Sequence, residues 1–150
     1  MSPDELQEIR GWLSLTEAAA FFAQAGYDQR HGLNAARHVA SVQPGRIDLI
    51  RAALLHDIGK RHAHLGAIGR SLASAYSKLG GKPRGKWRQY MEHGQAGGDE
   101  LQALGVERIV IDFTVHHHGD RPASILPAEW ALLQAADGVT GKTEHGSGAQ

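Results

Sequence analysis

Cysteine is absent from this chain of 150 residues, and its absence excludes several kinds of site. Disulfide frameworks, zinc ribbons, iron–sulfur clusters and thiol catalysis all depend on cysteine sulfur. A net charge is also missing, because 16 Lys and Arg residues balance 16 Asp and Glu residues. A surface-wide electrostatic attraction to nucleic acid is therefore not expected, although a local basic patch stays open.

Long hydrophobic runs are missing too. The longest apolar stretches, 15–25 and 109–115, are broken by polar residues. They fall well short of the ~20 residues that cross a bilayer. Segment 1–10 is acidic and has no apolar core, so we expect no signal peptide. These features predict a cytoplasmic protein without a membrane partner.

Most of the chain repeats its apolar residues at the period of an α-helix. The pattern predicts an all-α, single-domain helical bundle over residues 1–140 and a disordered, Gly/Ser-rich tail over 141–150. The expected helices begin near Ser2, Thr16, Asp28, Ile47, Leu65, Trp87, Val106 and Ala128. Gly26 is expected to cap the second helix, and Gly97–Gly98 could interrupt the sixth. Segment 109–113 could form a short strand instead of helix.

Histidine is the residue that the sequence has in excess, with 10 copies against 3 each of Trp, Tyr and Phe. The segment Leu54-Leu55-His56-Asp57-Ile58-Gly59-Lys60 ends an apolar helix with a His–Asp pair. An unpaired carboxylate at a buried helix end is energetically expensive. A bound metal ion would offset the cost of burying this negative charge.

Further imidazoles and carboxylates lie on separate segments. They are His31, His93, the run His116-His117-His118, and Asp137 on an otherwise apolar helix. Any one of them alone is more often a packed or capping residue, so the prediction rests on the whole set. Imidazoles and carboxylates without thiolates suit Mn, Fe, Zn, Co or Ni, and Mg suits the carboxylate-rich end.

The order His … His-Asp … His … His-His … Asp closely resembles the HD superfamily of metal-dependent phosphohydrolases over residues 20–140. The resemblance implies an HD-type helical bundle and two divalent transition metal ions. The first ion would be held by His31, His56, Asp57 and Asp137. Asp57 would bridge to the second ion, held by His93, His117 and His118. This set is similar to the binuclear subgroup that includes cyclic-dinucleotide phosphodiesterases.

The resemblance has two departures. The cyclic-di-GMP branch carries Gly-Tyr-Pro after its His-His pair, whereas Gly119-Asp120-Arg121 follows here. Tyr27 stands where some members have a Glu for a third metal, so two metals are expected. The substrate class implied is a nucleotide or another small phosphorylated metabolite. A metal-bound hydroxide would attack its phosphoester or phosphoanhydride, with Asp57 and Lys60 as catalytic residues.

A basic segment follows the His–Asp pair. Its charged residues are Lys78, Lys82, Arg84, Lys86 and Arg88, with Trp87 and Tyr90 between and after them. We expect Lys82, Arg84, Lys86 and Arg88 to bind substrate phosphate, with a solvated surface as the equal alternative. Phe21 and Phe22 could pack on their own domain or on a second subunit, so a homo-oligomer stays open.

Two other functions compete with hydrolysis. A di-iron oxygenase of the same fold would use a similar ligand set, and Tyr27 keeps that alternative open. A non-catalytic nucleotide-binding module is the second alternative, which the filled ligand positions argue against. Within the triple-histidine run His116 is the expected bystander, because three consecutive helical residues cannot share a face. His38, His62, His64 and His145 are not expected to bind metal.

Overall fold

The computed structural model describes residues 1–63 and 93–139. Within these ranges the chain forms seven α-helices, one 3₁₀ helix and no strand. The α-helices are α1 (Pro3–Trp12), α2 (Leu15–Phe22), α3 (Gly26–Val42), α4 (Ile47–Leu55), α5 (His93–Ala103), α6 (Arg108–His116) and α7 (Pro127–Asp137), and the 3₁₀ helix covers Ile58–Ala63. The predicted all-α class is confirmed.

Several predictions fall outside the described residues. They are the helix beginning near Leu65, the first residues of the helix beginning near Trp87, the basic segment with Lys82, Arg84, Lys86 and Arg88, His64, and the tail 141–150. The rest of the helix beginning near Trp87 is present as α5. The alternative strand at 109–113 is wrong, because these residues lie inside α6. None of the helices in the two described ranges is long and apolar enough to cross a membrane.

Serine and glutamate fix where the first two helices begin. The backbone N–H of Glu5 donates to Ser2 Oγ at 3.2 Å, and the Ser2 N–H donates to the Glu5 carboxylate at 2.7 Å. Ser14 and Glu17 repeat this exchange at the start of α2. Such reciprocal capping satisfies amide groups that the first helical turn leaves without partners.

Two glycine predictions are corrected. Gly26 begins α3, and α2 is capped by Ala23 in ordinary right-handed conformation. Among the described glycines the left-handed one is Gly105, with φ 71°, and the Val106 N–H that follows it donates back to Leu101 O at the end of α5. Gly97 and Gly98 do not interrupt α5, because both lie within its continuous span.

Helix α4 is the centre of the core. It packs against α3, α6, α7 and α1. Its residues from Leu49 to Leu55 are buried except Arg51, and its apolar residues belong to the same buried cluster as Phe21, Leu33, Phe113 and Leu133. Burial on nearly all sides holds the C-terminal end of α4 in place. This end carries His56 and Asp57.

Ion pairs connect the outer helices to this core. Arg51 of α4 binds Glu17 of α2, which is 2% exposed, and Glu107 before α6. Burial raises the pKa of Glu17, but hydrogen bonds from Ser14 and Arg51 outweigh it and lower the pKa below its ordinary 4.5. Arg37 of α3 binds Glu8 of α1 at a far more exposed position.

These two pairs predict unequal stability effects. Glu17→Ala leaves the Arg51 guanidinium without its buried partner and should lower the free energy of unfolding by about 2 kcal/mol. Glu8→Ala breaks an exposed pair and should cost less than about 1 kcal/mol. Urea unfolding of both variants measures the difference. Equal losses of unfolding free energy in the two variants would show that the Glu17–Arg51 pair contributes no more than the exposed Glu8–Arg37 pair.

The Glu17 effect should also depend on pH. A carboxyl group with a lowered folded-state pKa stabilises the protein above its unfolded pKa. That contribution disappears as the pH falls through the lowered folded value. The stability gap between wild type and Glu17→Ala should therefore narrow below pH 4.5, the ordinary pKa of the group.

Candidate metal centre

Five segments bring their histidines and aspartates to one place, mostly at helix ends. His56 is the C-cap of α4 and Asp57 follows it, while His117 is the C-cap of α6 and His118 follows it. His93 is the first residue of α5, and Asp137 is the last of α7. His31 alone projects from within a helix, α3. All seven predicted metal-ligating residues thus come together.

These side chains form two groups that could each hold a metal ion, and both contain Asp57. One group is His31, His56 and Asp57, and the other is Asp57, His93, His117 and His118. Within each group the ligand atoms all lie within 4.8 Å of one another. Asp57 is only 2% exposed, and His56, His93 and His117 are buried with it.

The two carboxylate oxygens of Asp57 face different groups. Oδ2 lies 3.5 Å from His56 Nε2 and 3.8 Å from His31 Nε2. Oδ1 lies 3.2 Å from His93 Nε2 and 3.6 Å from His117 Nε2. Asp57 therefore stands between the groups as a shared carboxylate.

Asp137 completes the first group. Its Oδ1 lies 3.0 Å from His31 Nε2 and 3.0 Å from His56 Nε2. The first group consequently offers two imidazoles and two carboxylates, whereas the second offers three imidazoles and one carboxylate oxygen. Both sets match donors that divalent transition metals accept.

Backbone carbonyls orient two of the imidazoles. His56 Nδ1–H donates to Ala53 O and His117 Nδ1–H donates to Thr114 O, each at 2.8 Å. Carbonyls in the last turn of a helix lack intrahelical partners, so they are free to accept these bonds. With the proton on Nδ1, the Nε2 lone pair of each neutral ring points into the cluster, as a metal ligand requires.

One oxygen of Asp57 lies buried among imidazole nitrogens. Asp57 Oδ1 is buried and makes no hydrogen bond of good geometry with the described residues. His93 Nε2 and His117 Nε2 lie 3.2 Å apart and converge beside this oxygen. A buried carboxylate oxygen and converging imidazole nitrogens fit a bound cation. The residues present therefore suit a metal ion.

The pKa values of the carboxylates also favour cation binding. Burial raises the pKa of Asp57, but the charge of His56 and the nearby imidazoles of His117 and His93 bring it well below its ordinary value. The pKa of Asp137 is likewise lowered despite burial, through hydrogen bonds from His31 and His56. Both groups are therefore ionised and available as ligands at neutral pH.

The imidazoles differ from one another in pKa. Burial lowers the pKa of His56, but the charge of Asp57 and the hydrogen bond to Asp137 outweigh it and raise the pKa above its ordinary 6.5. Burial lowers the pKa of His117, and it lowers that of His118 to about 4 with help from the neighbouring imidazoles. Among His56, His117 and His118, protons therefore compete most strongly for His56.

Lys60 lies against the shared carboxylate. Its Nζ donates a hydrogen bond to Asp57 Oδ2. The 3₁₀ helix that carries Lys60 is fixed to α5, since Arg61 and His62 both bind Glu100. His62 thus contacts Glu100 and lies outside the ligand set, as expected. His38 and His116 also lie outside both groups.

Sequence reasoning missed the groups that hold the ligands in place. Ala53 O and Thr114 O orient His56 and His117, and Gln134 Nε2 donates to His117 O at 2.7 Å. A sequence signal was available for His56, because it directly follows the apolar helical residues Leu54 and Leu55. No sequence signal pointed to Gln134, because it contacts His117 only through the tertiary packing of α7.

Comparisons with protein-family models, with curated proteins and with solved structures found no match for this chain. The case for a metal centre consequently rests on the geometry of the chain itself.

Asp57→Asn is predicted to abolish metal binding, because the amide replaces a shared ionised carboxylate with one neutral acceptor. Asp112→Asn is the matched control, since Asp112 is equally buried but binds Arg108 and Ser124 outside the cluster. Elemental analysis of both proteins after incubation with Co²⁺ measures the metal per chain. Full cobalt content in Asp57→Asn would disprove the central role of this carboxylate.

Acidification is predicted to weaken metal binding. A metal ion needs neutral His56, and the raised pKa of this residue means that the metal must displace its proton near neutral pH. Cobalt affinity should be constant above the pKa of His56 and fall as the pH drops through it. His118, with its pKa lowered to about 4, stays neutral and does not contribute to the fall.

Calorimetric titrations with Co²⁺ between about pH 8 and about pH 6 test this dependence. An affinity that does not change over this range would show that His56 is not a ligand.

Proposed function

We propose that the chain is a binuclear, metal-dependent phosphohydrolase that acts on a nucleotide or another small phosphorylated metabolite. The division of the Asp57 carboxylate between two groups of imidazoles supports this proposal most directly. The ordered motif and the all-helical fold are compatible with the HD superfamily. Fe, Mn, Zn, Co and Ni all suit the donor set.

Two divalent ions held this way would polarise a phosphoryl oxygen and lower the pKa of a water molecule. His31, His56 and Asp137 would hold one ion, and His93, His117 and His118 the other. Asp57 would hold both through its separate oxygens. The buried carbonyl-bound imidazoles keep these ligands fixed, so little reorganisation is needed when substrate binds.

The cluster is partly open to solvent, which suggests how substrate approaches. His118 is exposed, and the side chains of Asp137, His31 and Lys60 are 22%, 18% and 16% exposed. His56 and His117 form the closed side. A phosphoryl group entering from the open side would meet Lys60 Nζ next to Asp57.

Lys60 is the residue we assign to the charge of the substrate. Its Nζ already donates to Asp57 Oδ2, within reach of an anion bound beside that oxygen. A positioned ammonium group stabilises negative charge that develops on a phosphoryl oxygen during attack. Lys82, Arg84, Lys86 and Arg88, outside the described residues, are proposed to bind further phosphate oxygens.

Hydrolysis assays with the metal-reconstituted protein test the proposal. We expect metal-dependent release of phosphate or of a phosphate monoester from a panel of nucleotides and aryl phosphoesters, and no release by Asp57→Asn. A protein that binds two metal ions and hydrolyses none of these substrates would refute the proposed function. Oxygen uptake with bound iron would then indicate the oxygenase alternative, and tight nucleotide binding without turnover would indicate the binding module.

Lys60→Ala is predicted to lower turnover by roughly 100-fold while metal content stays unchanged, since only charge stabilisation is lost. Lys60→Arg should recover part of the rate. Arg108→Ala is the control, because Arg108 lies at the opposite end of α6 from His117 and His118. Steady-state kinetics and elemental analysis on the same samples give both quantities. An unchanged rate in Lys60→Ala would assign Lys60 a structural role.

A further inference from the structure

Helix α5 meets its neighbours through glycines. It packs against the 3₁₀ helix and against α6, and it carries Gly94, Gly97 and Gly98 within its first two turns. The 3₁₀ helix contributes Gly59. His93 begins the same helix, so the depth at which α5 lies also determines where the His93 imidazole lies.

Gly59 and Gly97 leave no room for a side chain. A Cβ added to Gly59 would lie 1.9 Å from His93 O and 2.7 Å from Gly97 N. A Cβ added to Gly97 would lie 2.9 Å from Thr114 Cγ2 and 3.0 Å from Gly59 N. The atoms approached at Gly59 are backbone atoms, which cannot move aside as a side chain can. Any side chain at Gly59 must therefore push the His93 backbone and the 3₁₀ helix apart.

Gly94 makes a similar contact with α6. A Cβ there would lie 2.9 Å from Thr114 O and 2.9 Å from Val115 O. Thr114 O is the acceptor that orients His117 through its Nδ1–H. The glycine contacts of α5 thus reach both imidazoles that face Asp57 Oδ1, the buried oxygen without a good hydrogen-bond partner among the described residues.

We propose that Gly59 and Gly94 are positioning residues for the second metal ion, because they set the places of His93 and His117 relative to Asp57. This inference rests on the two-ion part of the proposed function and is independent of the reaction catalysed. It makes a specific claim: enlarging either glycine weakens the ion at His93 and His117 and spares the ion at His31 and His56.

Two other glycines provide matched controls. Gly11 in α1 has no atom within 4 Å of an added Cβ, so Gly11→Ala tests the substitution alone. Gly32 follows His31 on α3, and its added Cβ would lie 2.6 Å from Leu54 O. Gly32→Ala therefore introduces a backbone overlap beside the first group. Alanine favours helix over glycine, so losses in these variants come from the contacts.

Titration with Co²⁺ alone measures the binding of each ion. Wild type and Gly11→Ala should bind two ions per chain. In Gly59→Ala and Gly94→Ala the second ion should bind about 10- to 100-fold more weakly, a loss typical of disturbed support around metal-ligating imidazoles. An affinity equal to that of wild type in both variants would overturn the inference.

Imidazole NMR spectra of the metal-free proteins separate this inference from the proposed function. Gly59→Ala or Gly94→Ala should shift the ring signals of His93 and His117 and leave that of His31 in place, whereas Gly32→Ala should do the reverse. Fewer than two cobalt ions on wild type would refute the two-ion proposal, and the ring signals would still decide the positioning role. If Gly59→Ala does not fold, Gly94→Ala, with its smaller overlap, decides alone.

Discussion

A single buried carboxylate dominates the organisation of this protein. Asp57 is ionised, almost inaccessible to solvent, and placed so that its two oxygens face different sets of imidazole nitrogens. Burying such a charge is unfavourable unless cations or hydrogen-bond donors surround it. Lys60 compensates this charge in part through its contact with Oδ2. Metal ions would compensate it more completely and also satisfy Oδ1.

Most of the side chains around this carboxylate are placed by the ends of helices. Helix α4 delivers His56 and Asp57 from the middle of the core, and the carbonyls in the last turns of α4 and α6 orient the rings of His56 and His117. A rigid, buried helix end holds ligands more precisely than a surface loop does, which is what a metal centre requires. The exposed residues of the cluster are His118 and, to a smaller degree, His31, Lys60 and Asp137, and substrate would approach from these residues.

Much of this could be predicted from the sequence, because periodicity and spacing are local signals. The helix class, the serine-capped start of α1 and the His–Asp pair at the end of α4 all follow from neighbouring residues. The tertiary contacts do not follow from neighbouring residues. The role of Gly59 depends on the approach of the His93 backbone, and Gln134 meets His117 only through the packing of α7. Gly26 misled prediction because glycine marks helix starts as well as helix ends.

Anomalous diffraction from crystals grown with Co²⁺ tests the central claim most directly. The account predicts two cobalt peaks, one beside each oxygen of Asp57, separated by about 3.5–4 Å. The first peak should lie among His31, His56 and Asp137, and the second among His93, His117 and His118. A single peak, or peaks that avoid Asp57, would contradict the shared carboxylate on which the proposed function depends.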